Sequence, residues 1–125
     1  GSNGIVIYYP YFIAEKSGVL DINSHRTVIE AVDKDLWNLV TFGRKNLTVI
    51  LPKDQPEEYF GEADFLDKYE ISELTKHAST ISGRYRQELS EGKSLLAEWS
   101  YAYNTDILYK PIGDRYLVFY ELRTV

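Results

Sequence analysis

The chain has 125 residues, 44% of them hydrophobic, and a formal net charge of −5 at pH 7; that is the size of one domain and too apolar for a disordered one. It has no cysteine, so a disulfide scaffold, a thiolate zinc site and a cysteine nucleophile are excluded together. The charge imbalance is local: residues 51–75 hold eight acids against Lys53 and Lys68 while the flanks are nearly balanced, whereas a nucleic-acid binder ordinarily presents a basic face.

Residues 1–125 read as a single globular domain. Methionine is absent as well, so Gly1 and Ser2 read as a cloning scar and the chain as a domain cut from a larger protein. No run approaches the about 20 apolar residues of a membrane helix. The expectation is an intracellular protein, cytoplasmic or nuclear, off the membrane.

The first predicted element is a strand over about 4–13, "GIVIYYPYFI", apolar on both faces and disturbed by Pro10, which cannot donate a ladder hydrogen bond. "EKSG" then predicts a turn, with "VLDI" a short return strand. A helix is predicted from Thr27 to Gly43. Thr27 and Glu30 make a capping-box spacing, Val28, Ile29, Val32, Leu36, Leu39 and Val40 form a stripe, and Gly43 suits the carboxyl end. "NLTVILP", residues 46–52, predicts a strand, so strand, helix and strand imply a βαβ unit.

Asp54, Pro56 and Glu57 predict a short helix that Gly61 interrupts. From 72 to 90 the stripe Ile71, Leu74, Ala78, Ile81, Tyr85 and Leu89 predicts a core-facing helix, weakened at Gly83 and ended near Gly92. "SLLAEWSYAY" reads as a strand for its aromatics, a helix being the other reading. "DILYKPI" and "RYLVFYELRT", joined by "GD", predict a hairpin that completes an antiparallel meander. The class is α+β: a mixed sheet with a βαβ unit in the N-terminal half, an acidic helical segment, and a C-terminal antiparallel meander or hairpin.

Two groups of residues carry functional readings. Asp21, His25 and Arg26 follow the first strands and Asp54 follows the next. An imidazole, a carboxylate and a guanidinium suit a small enzyme acting on an anionic substrate. The bland alternative is a turn at Asn23 and Ser24, a solvated His25 and Arg26, and Asp54 as a cap. The second group is larger. Eleven tyrosines exceed what a few helices hide, and tyrosine suits interfaces. Tyr9, Tyr11, Phe12, Tyr101 and Tyr103 are assigned to a partner-binding sheet edge, and Glu57, Glu58, Glu62 and Asp64 to an acidic docking face. The leading expectation is therefore a non-enzymatic interaction or regulatory domain with a protein partner, a homodimer through the edge included. A ligand-sensing domain with a pocket between meander and helices is a further alternative. Arg84, Tyr85 and Arg86 are the best basic cluster, yet nucleic acid is not the expected partner. Neither a cofactor nor a metal is expected, since His25 and His77 have no ligand spacing.

Overall fold

The computed structural model describes residues 12–34, 45–105 and 111–125. Among them six strands form one antiparallel sheet: β1 (Phe12–Ile22), β2 (Arg26–Asp33), β3 (Leu47–Pro52), β4 (Glu58–Gly61), β5 (Leu95–Thr105) and β6 (Pro111–Thr124). Their spatial order is β4-β3-β2-β1-β5-β6. Two helices, α1 (Lys68–Arg84) and α2 (Arg86–Ser90), lie between β4 and β5 in the chain. The expected α+β class holds at that level. The expected βαβ unit does not, because every neighbouring strand pair is antiparallel.

The helix predicted from Thr27 is strand β2 as far as Asp33; residues 35–43 of that prediction lie outside the described residues. The reason is the neighbours on either side. Ile29 stands opposite Leu20 of β1 and Val49 of β3, and Ala31 opposite Gly18 and Leu47. Ile29 and Ala31 are fully buried, so two-residue periodicity toward a core outweighs a helical stripe built of β-branched residues. "EKSG" is likewise no turn but the middle of β1, which continues to Ile22 with a bulge between Ala14 and Lys16. Gly18 is required there by close approach: a Cβ on it would lie 1.8 Å from the Glu30 carbonyl oxygen and 2.5 Å from the Trp99 ring.

Strand β3 matches its prediction. The short helix expected at Asp54 is instead a turn, with Asp54 at φ 73°, leading into β4. Aspartate tolerates that left-handed backbone. "SLLAEWSYAY" is β5, as expected. "GD" makes no hairpin, since Pro111–Thr124 is one strand paired to β5; Gly113, at φ 74°, lies where the β5–β6 register shifts. Residues 4–11 and 106–110 lie outside the described residues.

Helix α1 begins earlier than its stripe suggested. Asp67 caps it: its carboxylate accepts the Glu70 N–H at 2.8 Å, and the Glu70 carboxylate accepts the Asp67 N–H at 2.8 Å. The break falls at Tyr85, two residues beyond Gly83. Leu74, Ala78 and Leu89 are buried against Leu20, Ile22, Ile29, Leu47, Val49, Leu95, Ala97 and Trp99, each large side chain contributing about 1.5–3 kcal/mol. On the far face of the sheet Ser17 and Ser100, both fully buried, face each other. Ser17 donates to the Lys34 carbonyl at 2.6 Å, so Ser100 donates to Ser17 and accepts from Tyr120. Every hydroxyl in that chain is satisfied. No described helix is long and apolar enough to cross a membrane.

Candidate functional site

The turn between β1 and β2 is built by Asn23. Its side-chain oxygen accepts the N–H of His25 at 2.8 Å and of Arg26 at 2.9 Å, while its own N–H donates to the Arg26 carbonyl at 3.0 Å. The Lys53 N–H donates to the His25 carbonyl at 3.0 Å, tying the end of β3 to this turn. His25, Arg26 and Lys53 are thereby gathered at one end of the sheet. Facing them are the carboxyl half of α1 and, from α2, Arg86, Leu89 and Ser90.

Between these walls lies an open groove of about 670 Å³, within the range of small-molecule sites. Leu51, Ala78 and Leu89 give it an apolar floor; Thr75, Ser79, Ser82 and Ser90 line its helical wall. Arg26, Lys53 and Arg86 supply its positive charge and N–H donors, and His25 adds an imidazole. No aspartate, glutamate or aromatic ring other than His25 is among the described residues that line it. None of the four basic side chains enters an ion pair among the described residues, whereas Lys16, Lys45, Lys93, Arg115 and Arg123 all do. All four are exposed, so Arg26, Lys53 and Arg86 hold their charge without a large desolvation penalty. The carboxyl end of α1 adds partial negative charge here, which Arg84 and Arg86 offset.

The structure thus joins His25 and Arg26 and separates them from their expected carboxylates. Asp21 points with Val28 and Leu96 to the far face of the sheet, and Asp54 sits exposed in the turn after β3; neither lines the groove. The Asn23 turn of the bland alternative is present. Lys53 and Arg86 were not singled out as partners of His25, because nothing local in the chain relates positions 25, 53 and 86. The signal that was available is a hydroxyl row, Thr75, Ser79 and Ser82, at helical spacing beside the apolar stripe.

A second polar cluster lies at the other end of α1. Glu70, 2% exposed, accepts Lys16 Nζ at 2.9 Å and pairs with Arg115 at 2.8 Å. Arg115 also reaches Glu15 at 2.6 Å and stacks over Tyr101 with 4.8 Å to the ring centre. Burial opposes the Arg115 charge, but the hydrogen bond to Glu15 and the field of Glu70 hold its pKa above the ordinary value. Tyr101 donates to Glu73 at 2.7 Å. Burial, then that bond and the nearby carboxylates, raise its pKa well above that of a free tyrosine. Each charge here has a partner, so this cluster clamps α1 to β1 and β6 rather than presenting a reactive group.

The expected tyrosine edge does not hold for Tyr101 and Tyr103, which lie on the interior strand β5; β1 is paired on both sides from Lys16 to Ile22, and the sheet's edges are β4 and β6. Tyr101 is 3% exposed and therefore core, and Tyr103 is half-buried. Phe12 begins β1; Tyr9, Tyr11 and the Phe12 side chain lie outside the described residues. The acidic residues Glu57, Glu58, Glu62 and Asp64 are all exposed, around β4, where Tyr59 and Phe60 are also exposed. The Tyr59 hydroxyl donates to Glu57 at 2.6 Å, and that bond chiefly raises its pKa. No group of three or more acidic or histidine residues that could hold a metal occurs among the described residues. No family model, no curated protein and no solved structure matches the chain.

Proposed function

We propose that this domain is a binding module for a small anionic ligand, held in the groove between the β1–β2 turn, the end of β3 and helices α1 and α2. The observation that carries the reading is four basic side chains around one cavity with no acidic residue among its described lining, in a chain of net charge −5. Unpaired cations converging on a concave site focus a positive potential that draws anions. With no carboxylate among the described residues of the groove to orient His25, the reading is binding and regulation rather than turnover, in line with a ligand-sensing domain.

Titration calorimetry with inorganic pyrophosphate at low ionic strength tests it. Binding is expected, weakening with salt, and Arg26→Ala, Lys53→Ala and Arg86→Ala are each expected to weaken it about tenfold, the worth of one charge-assisted hydrogen bond. Absence of binding at low salt, or equal binding by the triple variant, overturns the reading.

A protein-docking role for the acidic side remains a second reading, favoured by the exposure of Tyr59 and Phe60 on edge strand β4 beside Glu57, Glu58 and Glu62. An edge strand with free backbone groups accepts a further strand, and its acids favour a basic one.

A further inference from the structure

Resting on the anion-binding reading, we infer that the ligand is a phosphorylated polyhydroxy compound, a polyol or sugar carrying a phosphate monoester. The inference comes from where the hydroxyl hydrogens of the groove point. Thr75 Oγ1 donates to the Ile71 carbonyl at 2.7 Å, Ser82 Oγ to the Ala78 carbonyl at 2.8 Å, and Ser90 Oγ to the Gln87 carbonyl at 2.7 Å. A hydroxyl has one hydrogen and two lone pairs. With the hydrogen occupied by the helix backbone, each of these oxygens faces the groove as an acceptor. Ser79, on the same wall, has no hydrogen-bond partner among the described residues and can serve in either sense.

The two walls therefore make opposite demands. The strand side, with Arg26 and Lys53, and Arg86 across from it offer donors with positive charge, which an anionic group satisfies. The hydroxyl oxygens of the helical wall can accept from donors on the ligand. Ammonium groups would donate, but the surrounding cations repel them. Neutral donors remain, and the hydroxyl groups of a polyol offer several of them on one small molecule. The floor of Leu51, Ala78 and Leu89 accepts the C–H face of such a molecule. Among the described residues no aromatic ring apart from the His25 imidazole lines the groove, so their lining does not supply the stacking platform that nucleotides and single-stranded nucleic acids use.

Calorimetric titrations of the whole chain with inorganic phosphate, glucose 6-phosphate and glucose test this. Glucose 6-phosphate is expected to bind about tenfold tighter than phosphate, the worth of one or two added hydrogen bonds, and glucose alone not measurably. The decisive quantity is the ratio of the glucose 6-phosphate and phosphate affinities. Ser82→Ala, a substitution that helices favour, is expected to lower that ratio, whereas Lys53→Ala lowers both affinities and preserves it. Circular dichroism of each variant confirms that it is folded. Equal binding of phosphate and glucose 6-phosphate, or a ratio indifferent to Ser82→Ala, overturns the polyol inference and leaves the anion reading standing. Failure of the soluble phosphate compounds and of phosphoinositide vesicles alike to bind in a Lys53-dependent way overturns both. Adding inositol 1-phosphate and phosphatidylcholine vesicles with and without phosphatidylinositol 4-phosphate separates the sources. Binding only on the phosphoinositide vesicles assigns the group to a lipid headgroup, and binding of the soluble compounds alone assigns it to a free metabolite.

Discussion

Glu70→Gln is the sharpest perturbation of the fold. It preserves the shape of a side chain that is 2% exposed and removes the one charge shared by Lys16 and Arg115. The amide oxygen can keep the Lys16 or Asp67 donor, but the amide nitrogen then turns its own hydrogens toward the donors of Arg115. Breaking a buried ion pair costs about 3–5 kcal/mol. The lower end applies here, because Lys16 and Arg115 keep 20% and 30% of their side-chain surface in water and Arg115 retains Glu15. A loss of about 3 kcal/mol, with a urea slope near 2 kcal/mol per molar, lowers the unfolding midpoint by about 1.5 M. Urea unfolding followed by tryptophan fluorescence measures it, with an unchanged slope as the check on two-state behaviour. Replacing all three charges together, Lys16→Met, Glu70→Leu and Arg115→Met, is expected to recover most of the loss, since no buried charge then lacks a partner. A Glu70→Gln cost below about 1 kcal/mol refutes the clamp.

Gly18→Ala forces β1 and β2 apart, as its Cβ would lie 1.8 Å from a backbone oxygen that cannot rotate away; the expected loss is about 3 kcal/mol or more in the same urea assay. Tyr101 carries a raised pKa in the folded chain, so its contribution is fully present below the unfolded value of about 10 and is lost as pH rises beyond it, by up to about 1.4 kcal/mol per pH unit. Unfolding free energies from about pH 8 to about pH 11 should show that decline, and Tyr101→Phe should flatten it. Glu70→Gln should leave pyrophosphate affinity within about twofold, because distant sites without shared partners act independently; calorimetry on the folded variant checks this.

What the sequence revealed depended on whether a segment's partners were local. The stripe Ile71 to Leu89, which runs from α1 through the break at Tyr85 into α2, was legible because its period is a property of the helix itself. β3 and β5 were legible from branched and aromatic content. Residues 27–33 were not: Val28, Ile29 and Val32 fit a helical stripe and a strand equally, and the choice is made by Leu20 and Val49, remote in the chain. Gly18 likewise resembles a turn signal until the indole of Trp99, 81 positions on, is seen across from it. Half of the groove was legible, at His25 and Arg26, since their polarity follows a strand; Lys53 and Arg86 become neighbours only through the fold.

The placement of the groove follows from the topology. A meander from β1 to β4 walks to one side of the sheet, and the next strand, β5, lies on the other side of β1. The chain must return across β3, β2 and β1; residues 62–67 bring it to β1, where Lys16 donates to the Phe65 carbonyl, and α1 and α2 then run to the other end of the sheet. Their amino end is pinned by the Glu70 cluster to β1 and β6. Their carboxyl end reaches the opposite end of the sheet, where the β1–β2 turn and the end of β3 stand. About 12 residues separate Glu70 from Ser82, roughly 18 Å of helix. The two polar clusters are thus held apart by the apolar contacts of Leu74 and Ala78, and they follow opposite rules. At the buried end every charge is paired, since an unpaired one is costly there. At the open end Arg26, Lys53 and Arg86 are exposed and have no ion-pair partner among the described residues, which is the arrangement the proposed anion site requires.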